Sequence, residues 1–153
     1  MSDEPLMNAA VERLRQSFDF MNELAEPPSF APADFFTDDF VLSDRRRGGV
    51  NFGELNASDW VRVLDGFWEA GGQPRFSVVE IIAVRGEWSA AYRVRVVYGV
   101  SDMFIDDINV VRFEPVGGRF RRTVLFDPDD RDAAIAELDR MHADIDDEPD
   151  TPS

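Results

Sequence analysis

Four strand-like segments follow one another through residues 75–126, and they constrain the fold more than any other part of the sequence. They span about 75–85, 88–99, 104–114 and 119–126, and glycine or proline occurs at most of the breaks between them. The second segment alternates cleanly, with one face formed by Trp88, Ala90, Tyr92, Val94, Val96 and Tyr98. Consecutive strands joined by short turns predict an antiparallel meander.

Three helical patterns and one further strand complete the predicted architecture. Apolar residues recur at helical spacing within 7–21, 60–68 and 134–141, and a strand is predicted over 40–46. Because the strands are segregated from the helices, the sequence predicts an α+β fold. We expect a cone-shaped α+β barrel, in which a curved antiparallel sheet carries the helices on its concave face and leaves a cavity.

Length and composition limit the classes of function. The chain has 153 residues, a formal charge of −15 and no cysteine. A strongly acidic protein repels phosphate backbones, so nucleic acid is not an expected partner. Without cysteine there are no disulfides and no thiolate nucleophiles or metal sites. No segment approaches the roughly 20 apolar residues of a membrane span, and the N-terminus does not resemble a signal peptide. A cytoplasmic protein with no membrane partner is expected.

The two ends of the chain differ from its middle. The first residues are acidic and lack an apolar run, and the last ten, DIDDEPDTPS, are acidic and poor in apolar residues. Such compositions are typical of disorder. We therefore expect a disordered N-terminus over 1–6, one domain over 7–143, and an acidic disordered tail over 144–153.

The stretch FFTDDFVLSD at 35–44 contains the first candidate site. On a strand, Phe40, Leu42 and Asp44 share one face, so a carboxylate ends a row of large apolar side chains. Such a charge needs a partner, water or a function. Asp44 could be a general base in an apolar pocket. Alternatively, it could form an ion pair with Arg46 or cap the following loop.

Other residues could line the same pocket. Asp107 and Asn109 share a strand face with Ile105, where they could converge on a ligand carbonyl or hydrogen-bond a neighbouring strand or subunit. Aromatic side chains, among them Trp60, Tyr92 and Phe126, are either core residues or walls of a cavity for a flat apolar ligand.

The basic residues suggest little chemistry of their own. The cluster Arg45–Arg47 could bind a ligand carboxylate or could be a solvated loop. The single histidine, His142, ends the last helical pattern, where a structural role is expected. One histidine and no cysteine give no support for a metal site, and no cofactor is predicted.

Three motifs resemble the nuclear transport factor 2-like superfamily, and within it the SnoaL-like and ketosteroid-isomerase-like branch. They are FFTDDFVLSD (35–44), VVRFEPVGGRFRRTVLF (110–126) and FDPDD (126–130), and the resemblance covers about residues 8–143. It implies the cone-shaped fold. The superfamily hosts isomerases, dehydratases, epoxide hydrolases, cyclases and non-catalytic modules, so the resemblance does not choose a reaction.

Matching the isomerase pattern residue by residue gives a mixed result. The catalytic base falls on Asp44, and the second acid of the isomerases falls on Asn109. The tyrosine that donates to the oxyanion falls near Ser17 or Phe18, where there is no tyrosine. The histidine of an Asp-His-Arg pattern common in SnoaL-like proteins is Arg45 here. The resemblance therefore implies the fold more strongly than the isomerase reaction.

The leading hypothesis is a SnoaL-like domain that binds a small, mostly apolar molecule in its cone. Its chemistry would be proton transfer of the isomerase or cyclase type, with Asp44 and Asn109 as catalytic residues. Phe40, Leu42, Trp60, Tyr92, Asp107 and Phe126 would bind the ligand. The alternative is a non-catalytic dimerisation or interaction module with a degenerate pocket. Epoxide hydrolysis ranks last, because the predicted strand faces place no arginine between two acids. A homodimer through the outer sheet face is the expected assembly.

Overall fold

The computed structural model describes residues 6–24, 32–47, 51–99 and 104–146. The element order is helix, short turn, two strands, helix, four strands and helix. The elements are α1 (Ala9–Glu23), a 3₁₀ turn (Pro32–Asp34), β1 (Phe36–Asp44), β2 (Glu54–Leu55), α2 (Ala57–Gly71), β3 (Pro74–Arg85), β4 (Ser89–Tyr98), β5 (Phe104–Phe113), β6 (Phe120–Phe126) and α3 (Arg131–Asp146). The α+β fold predicted from the sequence is confirmed.

The six strands form one sheet in the order β2-β1-β6-β5-β4-β3. Strands β3 to β6 pair antiparallel with their sequence neighbours, as the predicted meander requires. Strand β1 instead pairs with β6 in parallel, so the sheet is mixed where an antiparallel sheet was expected. Since about half of the chain lies between β1 and β6, their pairing could not be inferred from short turns.

Strand alternation gives the sheet two apolar faces. One face packs against α1, through Ala10, Val11 and Leu14, and includes Tyr92 and its neighbours of the same parity. Helix α2 lies on the same side, where Trp60 and Val61 pack beside Phe40 and Leu42. This side of the sheet contains the cavity described below.

Helix α3 packs on the opposite face. Its residues Ala134, Leu138 and Met141 cluster with Ala91, which has the other parity from Tyr92, and with residues of β5 and β6. The expectation that all helices lie on the concave face is therefore corrected for α3. The helix covers the middle of the outer sheet face, so the proposed dimer contact would have to use the uncovered end near the exposed Val97 and Phe104. The dimer itself stays a prediction.

The ends of the domain agree only in part with the boundaries inferred from composition. Helix α3 continues to Asp146, three residues beyond the predicted domain end. The remaining residues for which disorder was expected, 1–5 and 147–153, lie outside the described residues. Among the helices that the structure describes, none is long and apolar enough to span a membrane.

Asparagine side chains begin both helices on the cavity side. The Asn8 carboxamide accepts from Val11 N–H at 3.0 Å, and its Nδ2 donates to the carbonyls of Gly86 and Ser89, both at 3.0 Å. Asn56 caps α2 by accepting from Asp59 N–H at 2.9 Å. The first cap therefore also fastens α1 to the β3–β4 turn, whereas the second makes only the local bond.

Replacing Asn8 by alanine should lower the free energy of unfolding by about 2 kcal/mol. Loss of a cap costs about 1 kcal/mol, and the buried Ser89 carbonyl and the partly exposed Gly86 carbonyl lose their donor as well. The matched control, Asn56→Ala, removes an exposed cap alone and should cost about 1 kcal/mol. Urea denaturation measures both values. Equal losses would show that the bonds to Gly86 and Ser89 do not stabilise the fold.

Candidate functional site

A cavity of about 160 Å³ lies between the sheet and the helices α1 and α2. Nearly half of the residues that line it are aromatic. The aromatic lining residues are Phe18, Phe35, Phe36, Phe52, Trp60, Phe67, Phe76, Tyr92, Tyr98 and Phe120. Ligand sites commonly range from roughly 300 to 1,000 Å³, whereas an apolar cavity of roughly 150 Å³ is known to bind benzene. In this conformation the cavity therefore admits a molecule of about one ring.

Four of the eight residues predicted for the site line this cavity: Trp60, Tyr92, Asp107 and Asn109. The prediction is wrong for Phe40, Leu42 and Phe126, which do not line it. Phe40 and Leu42 are buried in the core between β1 and α2, and Phe126 points to the opposite sheet face, where it packs with α3. The parallel β1–β6 pairing and the position of α3 explain these errors, since neither was predicted.

The sheet register brings the polar residues of the cavity together. Asp44 pairs with Leu125 across β1 and β6, and Leu125 pairs with Asn109 across β6 and β5. Asn109 in turn pairs with Tyr92 on β4. These residues form one row across four strands, and Asp107 lies two residues from Asn109 on the same strand face. The end of β1 therefore meets the middle of the meander.

Each carboxylate oxygen of Asp44 accepts two hydrogen bonds from the protein. Its Oδ1 accepts from Arg46 Nε at 2.9 Å and Arg46 N–H at 3.1 Å, and its Oδ2 accepts from Arg46 Nη2 at 2.7 Å and Phe52 N–H at 2.9 Å. Its side chain has no solvent exposure. Burial alone would raise the pKa of Asp44, but these hydrogen bonds outweigh burial and hold the pKa below its ordinary value.

These bonds contradict the premise on which a catalytic Asp44 depended, that it lacks a permanent basic partner. A carboxylate with four donors and a lowered pKa is a poor proton acceptor. Asp44 is also absent from the lining of the cavity. Its observed role is the alternative one, an ion pair with Arg46 that fixes the loop after β1.

The loop holds Arg46 through backbone geometry that the sequence encodes. Asn51 Nδ2 donates to the carbonyl oxygens of Asp44 and Arg46 at 3.2 and 2.8 Å, and its Oδ1 accepts from Gly53 N–H at 2.8 Å. Gly53 has a φ of 67°, which favours glycine. The Arg46 guanidinium also lies 5.2 Å from the centre of the Phe52 ring. Arg46 is thus presented to the cavity in a fixed position.

Arg46 bridges two carboxylates, an arrangement that the sequence analysis rejected. Besides its bonds to Asp44, its Nη1 lies 3.2 Å from Asp107 Oδ2. Both Arg46 and Asp107 line the cavity. The expectation that the inward strand faces place no arginine between two acids did not include this bridge. Arg46 was placed at the end of the predicted strand 40–46, whereas β1 ends at Asp44 and Arg46 reaches the cavity from the loop that follows.

Asp107 is the titratable group of the cavity. Burial raises its pKa to about 6, and the neighbouring Asp44 adds to the increase while Arg46 opposes it. Among the described residues, Asp107 accepts one ion-pair contact, from Arg46, whereas Asp44 accepts four hydrogen bonds. Two acids that share one arginine thus have opposite pKa shifts, and near neutral pH Asp107 can both take up and release a proton.

The raised pKa predicts how stability depends on pH. The folded state binds the Asp107 proton more tightly than the unfolded state does, so stability should fall as the pH rises from about 4 to about 6, by at most about 3 kcal/mol. Asp107→Asn should remove this part of the profile and stabilise the protein at pH 8. Thermal unfolding at pH 4.5, 6 and 8 measures it. An unchanged profile in the variant would contradict the assignment.

Asn109 and Tyr92 form a polar pair beside Asp107. Asn109 Nδ2 donates to Tyr92 Oη at 3.2 Å. Burial raises the pKa of Tyr92 well above its ordinary range, so the phenol stays protonated. Because its oxygen accepts from Asn109, its own proton is left to donate. Tyr92, predicted only as a wall, is therefore the candidate donor to a ligand oxygen, and Asn109 orients it.

Three further polar residues line the cavity: Ser17, Arg46 and Thr123. Arg46 was considered only as part of the cluster Arg45–Arg47, and Ser17 lies near the position, Ser17 or Phe18, where the resemblance expects a tyrosine. Thr123 has the same parity on β6 as Leu125, which lines the cavity too. The sequence shows that Thr123 and Leu125 lie on the same face of β6. Which face of the sheet that is depends on the pairing of β1 with β6.

The other two arginines of the cluster bind acids of the outer layer. Arg45 lies 3.5 Å from Glu137 on α3. Arg47 binds Asp127, Asp129 and Asp130 just before α3. These three aspartates are grouped closely enough to hold a cation, and the Arg47 guanidinium already fills that role. Arg45 and Arg47 therefore fasten the loop to α3 and its N-terminal turn, and of the three arginines Arg46 alone lines the cavity.

Comparison with known proteins identifies the fold. No protein-family model matches the chain, and no curated protein matches it. Solved structures do. A protein of unknown function with a cystatin-like fold from Methylobium petroleophilum aligns with a TM-score of 0.57 at 20% identity, over 80% of this chain and 78% of that one.

Two further structures carry the family names. An NTF2-like protein of unknown function from Cytophaga hutchinsonii aligns with a TM-score of 0.51 at 7% identity, covering 80% and 92% of the two chains. A proposed isomerase of the SnoaL-like family from Agrobacterium tumefaciens aligns with a TM-score of 0.55 at 13% identity, covering 78% and 97%. The chain thus has the nuclear transport factor 2-like fold, as the resemblance implied. At these identities the likeness extends to the fold alone.

Proposed function

We propose that the chain binds a neutral, mostly apolar molecule of about one ring in its cavity, and that Asp107 transfers a proton to or from it. The observation that carries this proposal is the position of Asp107. It is a carboxylate in an aromatic cavity, held by one contact from Arg46 and placed beside the Tyr92–Asn109 pair. Clefts that combine an apolar lining with a few polar groups and a shifted pKa are typical of active sites.

The geometry suits proton abstraction next to a carbonyl group. Tyr92 and Asp107 are diagonal neighbours on adjacent strands, about 7–8 Å apart at their Cα atoms. A ligand between them could place its carbonyl oxygen at the Tyr92 hydroxyl and the adjacent C–H bond at Asp107. Asp107 would take the proton, and the Tyr92 hydroxyl would stabilise the negative charge that develops on oxygen. The step requires no cofactor.

Water activation is the second candidate, favoured by the Asp44–Arg46–Asp107 bridge and by Asn109. The Asn109 Oδ1 atom is buried and has no hydrogen-bond partner among the described residues. A water molecule could donate one hydrogen to Asp107 and the other to this oxygen, and then attack an epoxide. Asp107 would take a proton from this water as its oxygen bonds to the epoxide carbon, and the oxygen of the C–O bond that breaks would take a proton from Tyr92 Oη. The pKa of Asp44 is lowered and Asp44 does not line the cavity, so it offers no second acid for this step. This reaction therefore ranks second.

Two measurements on the purified chain test the proposal. Thermal shift with cyclohexanone and cyclohexene oxide should show stabilisation, because a ligand that binds the native state raises its stability. Deuterium exchange of cyclohexanone in D₂O, followed by NMR, should be accelerated by the protein. Incorporation of ¹⁸O from water into cyclohexene oxide without accelerated exchange would instead support the second candidate. Neither binding nor turnover would leave the non-catalytic module as the better account.

A further inference from the structure

Two buried polar atoms in the cavity have no hydrogen-bond partner among the described residues. Ser17 Oγ on α1 and Asn109 Oδ1 on β5 are both without a hydrogen bond from any described residue. Ser17 is only 7% exposed, and both residues line the cavity. Buried polar groups are nearly always hydrogen-bonded in proteins, so an unpaired one indicates a bond made to something other than the chain itself.

The two atoms lie on different walls of the cavity. Ser17 comes from the helix that covers the sheet, and Asn109 comes from the middle of β5. Between them the lining is aromatic, with Phe18 and Tyr92 rings in edge contact at 6.1 Å. A molecule that fills this space therefore meets one polar atom on the helix wall and another on the sheet wall.

The chemistry of the atoms restricts the ligand. Asn109 Oδ1 only accepts, so the ligand group that faces it must donate. The Ser17 hydroxyl can donate or accept, so the second ligand group can be a hydroxyl or a carbonyl. A negative ligand is disfavoured by Asp107 and by the net charge of −15. A neutral ring with two oxygen substituents meets all these conditions.

We propose that the natural ligand is a neutral single-ring molecule with two oxygen substituents, bound between Ser17 and Asn109, with a hydroxyl on the Asn109 side. This inference rests on the proposed function and adds the class of ligand to it. Ser17 is then a specificity residue that selects for the second oxygen. It takes part in binding and not in proton transfer.

The test compares probes with no, one and two hydroxyl groups. Benzene, phenol, resorcinol and hydroquinone are titrated by calorimetry into the wild-type chain at pH 7. One added hydrogen bond should tighten binding by about 3- to 10-fold. We expect the better of the two diols to bind more tightly than phenol, and phenol more tightly than benzene.

Three variants assign the effect to the named residues. Ser17→Ala should remove the advantage of the diol over phenol and leave phenol binding within about 2-fold. Asn109→Leu should remove the advantage of phenol over benzene. Ser89→Ala is the matched control, because its hydroxyl is also buried and unpaired among the described residues but does not line the cavity. It should change no affinity.

The outcomes separate this inference from the proposed function. If the probes bind but the diols bind no better than phenol, or if Ser17→Ala leaves the diol advantage intact, the inference is overturned and the proposed cavity function stands. If no probe binds, benzene included, the cavity is not a ligand site and both proposals fail.

Discussion

Replacing Asp107 by asparagine is expected to lower the rate of proton exchange in a bound cyclic ketone by about 10²- to 10⁴-fold. This is the usual contribution of a positioned general base. The asparagine side chain keeps the size of the carboxylate, and Arg46 keeps its three hydrogen bonds to Asp44. The cavity should therefore remain intact, and the probe affinity should change little.

Asn109→Leu is the matched comparison on the same strand face. It removes the orienting bond to Tyr92 but leaves Asp107 in place, so the rate should fall by a smaller factor, about 10-fold.

The rate of the wild-type protein should rise with pH and level off above about 6, because the ionised form of Asp107 is the base. If Asp107→Asn lost both its activity and its fold, a catalytic role of Asp107 could not be distinguished from a structural one. Circular dichroism therefore checks that the variant is folded. Full activity in a folded variant would exclude Asp107 as the base.

Replacing Asp44 by alanine is expected to lower the free energy of unfolding by about 3–5 kcal/mol. Removing one member of a buried ion pair leaves the other charge buried with less compensation, and such losses are large. Here the variant also leaves the N–H groups of Arg46 and Phe52 without their acceptor. Denaturant unfolding at pH 7 measures the change.

Asp39→Ala is the control for Asp44→Ala, because Asp39 lies on the same strand and also pairs with an arginine. Its side chain is 63% exposed and lies 3.4 Å from Arg121, so its loss should cost less than about 1 kcal/mol. High salt should weaken the effect of Asp39 and leave that of Asp44 nearly unchanged. An Asp44→Ala variant that is as stable as wild type but inactive would restore Asp44 as a catalytic residue.

The two acids should also differ in how they respond to pH. The contribution of Asp44 to stability is present above its ordinary pKa of 3.8 and is lost as the pH falls through its lowered value. Asp107 behaves in the opposite way and disfavours folding above a pH of about 6. Asp44→Ala should therefore lower the pKa of Asp107, since Arg46 then has one carboxylate fewer nearby and a like charge is gone.

The fold was largely predictable because its signals are local. Alternation in residues 88–99, the glycine and proline turns and the helical spacing of apolar residues each depend on a few neighbouring residues. The position of α3 was not predictable in this way. Both faces of the meander carry apolar residues, such as Tyr92 on one side and Ala91 on the other, and parity alone does not tell which helix covers which face.

The site was predicted only in part, for a physical reason. The places of Asp107, Asn109, Tyr92 and Trp60 in the cavity lining could be predicted, because residues of one parity on one strand, or on one helix face, stay together whatever the strand order. The role of Asp44 depended on a side chain two residues away, and sequence alone could not decide between a free carboxylate and a pair with Arg46. The loop conformation set by Asn51 and Gly53 decides it in favour of the pair.

The most direct test of this account is an NMR titration of the aspartate side-chain carboxyl carbons, with Asp107→Asn and Asp44→Asn used to assign the two signals. The account predicts that the Asp107 signal titrates with a midpoint of about 6 and moves when a cavity ligand is added, while the Asp44 signal stays ionised down to below pH 3.8. A midpoint for Asp107 at or below 3.8, or a titration near 6 that belongs to Asp44, would contradict it.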